Sequence, residues 1–324
     1  MIKNKTKKQS ILNILSIILI LFFIILLIIL PTNSITAFGQ GVMIWATKIL
    51  PALLPFFILT KLLSFTTFTA TVGKFFSPIT QKLYGVGGVA GYIYIISVLS
   101  GYPVGAKLTA DLYKSDKITQ SQAFTISAFT STSGPLFIIG TVGIGFFKSQ
   151  TIGIIVLISH FIGALLNGLI YRNKKTNNIY SLSTTTPTNI LNESMYSSIQ
   201  SIMIVGGFIA LFYMGLNLLL SLNFFDFIIT PLEHLGIENN ISTAIISGII
   251  EVTTGALYLS ECTLNNDIIC LILSFLISFG GLSIHAQAFC FLKEFNMPYK
   301  KFLLQKITHA IISASVTFLI ILIF

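Results

Sequence analysis

Apolar residues run along this chain in blocks about as long as a bilayer is thick. The first unbroken run, Ile11–Leu30, has twenty residues, which at 1.5 Å per helical residue span about 30 Å of hydrocarbon. Further apolar segments follow at Val42–Ser64, Val89–Leu108, Ala123–Phe147, Thr151–Tyr171, Ile199–Leu222, Ile241–Leu259, Ile268–Leu292 and Phe302–Phe324. Runs of this length predict membrane helices, the conformation that satisfies every backbone polar group within its own segment. Two stretches of mixed polarity, Phe65–Leu83 and Asn223–Leu235, are expected at the membrane interface. The stretch Arg172–Ser198, rich in Asn, Ser and Thr, reads as a linker. The expected organisation is an N-terminal signal-anchor helix (1–37), a first repeat (38–172), a polar linker (173–198) and a second repeat (199–324).

Composition fixes the class. Of 324 residues, 54% are hydrophobic, 28 are Phe and only 9% are charged, with a mean hydropathy of +0.90; a soluble protein carries about 25% charged residues. The chain is therefore an all-α polytopic membrane protein whose first partner is the lipid bilayer. The net charge of +9 sits in short clusters between apolar runs, as positive-inside anchors do, and so points away from nucleic acid. Lys3, Lys5, Lys7 and Lys8 precede the first run with no convincing cleavage site after it, which predicts an uncleaved anchor and a cytoplasmic N-terminus. Cys262, Cys270 and Cys290 form no C-x-x-C pair. No enzyme motif occurs in a fitting context, so neither an enzyme nor a cofactor or metal is expected.

The two halves share landmarks in the same order. Leu63 matches Leu219, Tyr102-Pro103-Val104-Gly105-Ala106 matches Val252-Thr253-Thr254-Gly255-Ala256, Ser133-Gly134-Pro135-Leu136 matches Gly280-Gly281-Leu282-Ser283, and His160 matches His309. The offset stays near 150 residues, which predicts an internal duplication. Reading Val42–Ser64 and Ile199–Leu222 as broken re-entrant hairpins, opened at Pro51/Pro55 and Gly206-Gly207, makes the repeats inverted. It also puts the Arg172–Lys175 cluster inside, at the cost of leaving Lys61, Lys74 and Lys82 outside.

Inverted repeats with interrupted helices are the architecture of secondary transporters, whose substrates bind at half-helix ends near the midplane. Four interruptions supply the candidate substrate-binding residues. They are Ser100, Gly101, Tyr102, Pro103, Gly105 and Lys107 in the first; Thr130, Thr132, Ser133, Gly134 and Pro135 in the second; Glu251, Thr253 and Thr254 in the third; and Gly280, Gly281, Ser283, His285 and Gln287 in the fourth. Proline and glycine open the ladder, and the hydroxyls and freed N–H groups are neutral donors. Glu251 stands inside an apolar segment, where an ionisable group is costly. It is open to pairing with Lys107, to binding a cation or to carrying a proton, and pairing is favoured.

The strings Leu50-Pro51-x-Leu53-Leu54-Pro55-Phe56-Phe57, Ser100-Gly101-Tyr102-Pro103-x-Gly105-Ala106-Lys107 and Thr132-Ser133-Gly134-Pro135-Leu136-Phe137-Ile138 resemble the YlbJ-type sporulation integral membrane proteins, of the wider nucleoside-recognition or Gate group, from about Phe38 to the C-terminus. The resemblance implies a protein of the outer forespore membrane, or of the cell membrane, in an endospore-forming bacterium. It implies a small anionic substrate, dipicolinic acid moving out of the mother cell, and partners that include a second copy or other sporulation membrane proteins. Lys107 and the Thr130–Ser133 hydroxyls would then meet carboxylates, and Tyr102 would stack on the ring. A nucleoside or ion carrier and a non-transporting structural protein are the alternatives.

Overall fold

The apolar runs form helices in a computed structural model that describes residues 2–173 and 189–323; the linker positions 174–188 lie outside the described residues. Helix α1 (Ile2–Ile29) ends at Leu30, and Pro31 opens α2 (Pro31–Ile44) at a first-turn position that tolerates proline. Helix α2 continues through one π turn (Trp45–Ile49) into α3 (Leu50–Ser64). Two amphipathic stretches follow the two long apolar helices, as the mixed polarity predicts: α4 (Phe68–Tyr84) after α3, and later α10 (Asp226–His234). The first half goes on with α5 (Val89–Ser100), α6 (Val104–Lys114), α7 (Gln120–Thr130), a π-helical segment (Leu136–Phe146) and α8 (Gln150–Ile170). The second half comprises α9 (Ile190–Ser221), α10, α11 (Asn239–Ile250), α12 (Val252–Leu259), α13 (Asn266–Phe279), α14 (Gly281–Leu292) and α15 (Tyr299–Ile323). Helix α9 begins at Ile190, inside the stretch expected to be linker.

The re-entrant hairpins are not where proline and glycine content placed them. Residues 31–64 form one continuous helix of 34 residues, and α9 is continuous over 32. At Pro51 the π turn explains why: Leu50 N–H bonds back to Trp45 O, five residues away, so the ladder is already widened where the proline ring must fit. At Gly206 the glycine is a seat and not a break. A Cβ there would stand 2.5 Å from the Trp45 ring, and Trp45 Nε1 donates to Ile202 O at 3.2 Å. Gly41 meets the Ala210 backbone in the same interface, so small residues let α2 and α9 approach closely.

The elements that fold back are the ones after the amphipathic helices. Helix α4 turns through 100° into α5, and α5 and α6 reverse at Gly101-Tyr102-Pro103, so that Gly105 returns to Ser97. Helices α11 and α12 reverse at Glu251, so that Gly255 lies on the Gly248 backbone. At 12 residues or fewer, each arm covers at most about 18 Å and cannot cross a bilayer. With hairpins here, Lys61, Lys74, Lys82, Lys107, Lys114, Lys117, Arg172, Lys293, Lys300 and Lys301 fall on one side of the bilayer and Lys148 on the other. Contacts agree: Asn173 N–H donates to Tyr84 O at 2.8 Å, Gln120 Nε2 donates to Phe295 O at 2.9 Å, and Lys114 pairs with Glu294 at 3.2 Å.

The order of elements recurs across the halves, with α5 (89–100) and α11 (239–250) equal in length and 150 residues apart. One core joins both: Ile49, Leu53, Phe137 and Val156 pack with Ile202, Ile209, Val252 and Leu273. His160 of α8 and His309 of α15 stack ring to ring at 4.8 Å. The two histidines, 149 residues apart in the sequence, thus meet where α8 packs on α15. The outer faces of α1, α8 and α15 expose Ile18, Leu19, Ile158, Ile162 and Leu319, an apolar belt for lipid.

The revised hairpins separate the two topologies. In a cysteine-free background, Lys82→Cys and Arg172→Cys should react with an impermeant maleimide only from the cytoplasmic side, and Lys148→Cys only from outside. Reaction of Lys82→Cys from outside would restore the first placement. Gly206→Leu should lower the melting temperature of the detergent-solubilised protein, by about 1–3 kcal/mol of overpacking. Gly207→Leu, whose Cβ meets nothing within 4 Å, should leave it unchanged.

Candidate functional site

All four sequence interruptions are breaks in the helices. Helix α5 stops at Ser100 and α6 starts at Val104; α7 stops at Thr130 and the π-helical segment starts at Leu136; α11 and α12 part at Glu251; α13 and α14 part at Gly280. Breaks one and two touch, since a Cβ on Gly101 would stand 2.7 Å from Gly134 N. Breaks three and four touch in the same way, with Gly281 against Gly248 O and Val252 N at 3.1 Å. Gly101 and Gly280 have φ of +75° and +90°, conformations that glycine adopts without steric cost.

Each break leaves backbone groups outside the helical ladder, and side chains satisfy several of them. At break two, Ser133 N–H donates to His160 Nε2 at 2.9 Å. That fixes the tautomer: Nε2 accepts, so Nδ1 carries the hydrogen and donates to Ser278 Oγ at 2.8 Å. His309 Nε2 in turn donates to His160 O at 3.0 Å. The Ser97 hydroxyl donates to Thr130 O and lies 3.2 Å from Thr132 Oγ1. At break three, Glu251 is the N-cap of α12: its carboxylate accepts from Thr253 N at 3.2 Å and from Thr254 N and Thr254 Oγ1, both at 2.7 Å. At break four, His285 Nε2 donates to Phe279 O at 2.9 Å.

The first three breaks line one cavity. Ser100, Gly101 and Tyr102 from the first, Ser133 and Gly134 from the second, Glu251 and Thr253 from the third, and Gln287 beyond the fourth all line it; Leu53 of α3 and Ile209 of α9 close it. Its volume of about 50 Å³ holds a few water molecules and no larger guest. A second cavity lies further along α3 and α9, lined by Thr60, Lys61, Lys107, Asp111, Ser197 and Ser201. The Ser100 hydroxyl of the first cavity donates to Thr60 Oγ1 of the second at 2.8 Å. That bond lies where the two adjoin.

Several expected site residues therefore have other places. Lys107 belongs to the second cavity, where its Nζ donates to Ser197 Oγ at 3.0 Å. It does not pair with Glu251, whose carboxylate caps its own half-helix. His285 turns to Phe279 O, with Tyr299 Oη 3.3 Å from Nδ1, and Ser283 accepts from Gln287 at 3.4 Å. Thr130, Thr132 and Thr254 are buried in the bonds just described, Gly280 lies behind the Tyr102 hydroxyl, and Gly105 packs on Thr130 O. Pro103 and Pro135 sit at the starts of α6 and the π-helical segment.

Sequence reading did not single out Lys306. It is 2% exposed in α15, and its Nζ donates to Tyr102 Oη at 2.5 Å and to Ser131 O at 3.1 Å. A signal existed. Gln305, His309, Ser313 and Thr317 recur every fourth residue in an apolar segment, a polar stripe on one helical face, and all four are buried.

The chain is 31% identical over 312 residues to the sporulation integral membrane protein YlbJ of Bacillus subtilis (strain 168), an alignment that covers 88% of this chain and 76% of that protein. No family model and no solved structure matches it.

Placing Lys107 and Glu251 in different cavities has a measurable consequence. Glu251→Ala should destabilise the detergent-purified protein by about 1–2 kcal/mol through loss of the cap. Lys107→Met added to Glu251→Gln should restore nothing, the two effects summing to within about 0.5 kcal/mol in thermal denaturation. A larger coupling would mean that the two side chains meet.

Proposed function

The chain belongs to the family of YlbJ-type sporulation integral membrane proteins, and from that premise we propose that it carries a small organic anion, dipicolinate foremost, across its membrane. The observation that carries this reading is the convergence of three helix breaks, with α14 following the fourth, on one cavity, which a scaffold for other proteins has no need to build. The half-helix starts at Pro103 and Pro135, which have no side-chain cap, the Ser100 and Ser133 hydroxyls and the Tyr102 ring suit a flat dicarboxylate. The cavity is smaller than such a molecule, so this conformation is a closed one, and loading requires the hairpin tips to move.

The second cavity, with Lys61 and Lys107, is the cytoplasmic vestibule in this reading, and the Ser100–Thr60 bond is the constriction an incoming anion opens. Two inverted halves, in contact at His160 and His309, would present the cavity to either side in turn. Outward movement of a dianion is favoured by the membrane potential at about 2.3 kcal/mol per charge per 100 mV. The carrier then needs no coupling ion, and Glu251 is free to serve as a cap. The membrane is that around the forespore, and the substrate moves out of the mother cell. A neutral nucleoside is the second reading, favoured by Thr253 and Gln287 on the cavity wall.

Proteoliposome uptake of labelled dipicolinate tests the proposal. Gly134→Leu fills the cavity from the second break and should lower transport at least about tenfold while the protein stays in the membrane; Gly207→Leu should transport normally. Undiminished transport by Gly134→Leu would remove the cavity from the mechanism.

A further inference from the structure

Lys306 is a buried lysine with no carboxylate beside it. The one ion pair among the described residues is Lys114–Glu294, and the Glu251 carboxylate is taken by Thr253 and Thr254. Around Lys306 are dipoles only: the carbonyl of Ser131 at the C-terminal, negative end of α7, the Tyr102 oxygen, and the Tyr102 ring, whose centroid lies 4.7 Å from Nζ. A buried cation is ordinarily retained where a counter-charge meets it. The position related to Lys306 in the first half, 149 residues earlier, is Leu157, so the charge is not a requirement of the repeated frame.

The bond to Tyr102 points to what the charge is for. When protonated, Lys306 donates only, so the Tyr102 oxygen then accepts and its own hydrogen must be directed elsewhere. Tyr102 is 8% exposed and lines the central cavity, and among the described residues its O–H has no acceptor. With Lys306 protonated, the phenol is a buried donor that has the ammonium beside it, on a residue that lines the cavity.

Resting on the transport reading above, we propose that Lys306 and Tyr102 are the carboxylate-reading element of the cavity. Tyr102 O–H donates to a carboxylate oxygen of the carried anion, and Lys306 supplies the counter-charge through the phenol without touching the guest. This arrangement selects anions over neutral molecules of the same shape. An exposed lysine would do so less well, being screened by water.

Ligand-induced thermal stabilisation of the purified full-length protein tests this apart from transport. The probes are pyridine-2,6-dicarboxylate and its uncharged isostere, pyridine-2,6-dicarboxamide. The wild type should be stabilised by the diacid at concentrations at least about tenfold lower than by the diamide. Lys306→Met should remove that preference, Lys306→Arg should keep it, and Tyr102→Phe, which needs no refolding of the core, should weaken the diacid about tenfold and the diamide little. Equal weakening of both probes in Lys306→Met and Tyr102→Phe would make the pair a structural brace and overturn the assignment, as would a wild type blind to the charge. If the diacid is bound with this preference but not moved across proteoliposomes, the transport reading fails and the anion site stands.

Discussion

Hydrocarbon offers no water to a broken helix, and the rest of this structure follows from that. A helix interrupted at the membrane midplane leaves N–H and C=O groups that each cost several kcal/mol if unpaired. The chain interrupts four helices, and side chains of the protein satisfy the exposed ends. His160 takes the Ser133 N–H, Lys306 the Ser131 carbonyl, His285 the Phe279 carbonyl, and Glu251 the amides that follow it. The ionisable groups of the interior are thus, first of all, caps. Their cost in lipid is offset by the backbone they satisfy, and the cavity exists because the ends they cap are brought together.

The repeated frame is symmetric and its chemistry is not. Gly101 stands where the second half has Glu251, and Leu157 where it has Lys306. Both hairpins reverse at the same place in the order of elements, yet one does so through Gly-Tyr-Pro and the other through a self-capping carboxylate.

The sequence made the breaks legible because glycine, proline and hydroxyl clusters are rare inside apolar runs and mark places where the ladder opens. It misplaced the hairpins because the same residue types serve other ends. Pro51 is absorbed by a π turn and Gly206 is a seat for Trp45, and neither role shows in local composition. Lys306 was lost because apolar runs do not reveal where a helix begins. With α15 starting at Tyr299, Lys306 lies two turns inside. His160 and His309, related in the sequence, proved to touch because contact between distant parts of a chain is a property of three dimensions.

The helices around the breaks are tied to one another by uncharged groups. Asn167 of α8 donates to Ala128 O and Gln305 O, Thr308 donates to Asn167 at 2.6 Å, Ser127 and Phe124 O hold Gln305, and Thr317 donates to Ser274 at 2.6 Å. Between membrane helices such a bond is worth about 0.6 kcal/mol, close to the thermal energy itself, whereas parting a buried ion pair costs about 3–5 kcal/mol. The braces therefore behave like a bearing. Together they keep α7, α8, α13 and α15 in register, yet any one of them breaks and re-forms with little friction as neighbouring elements slide.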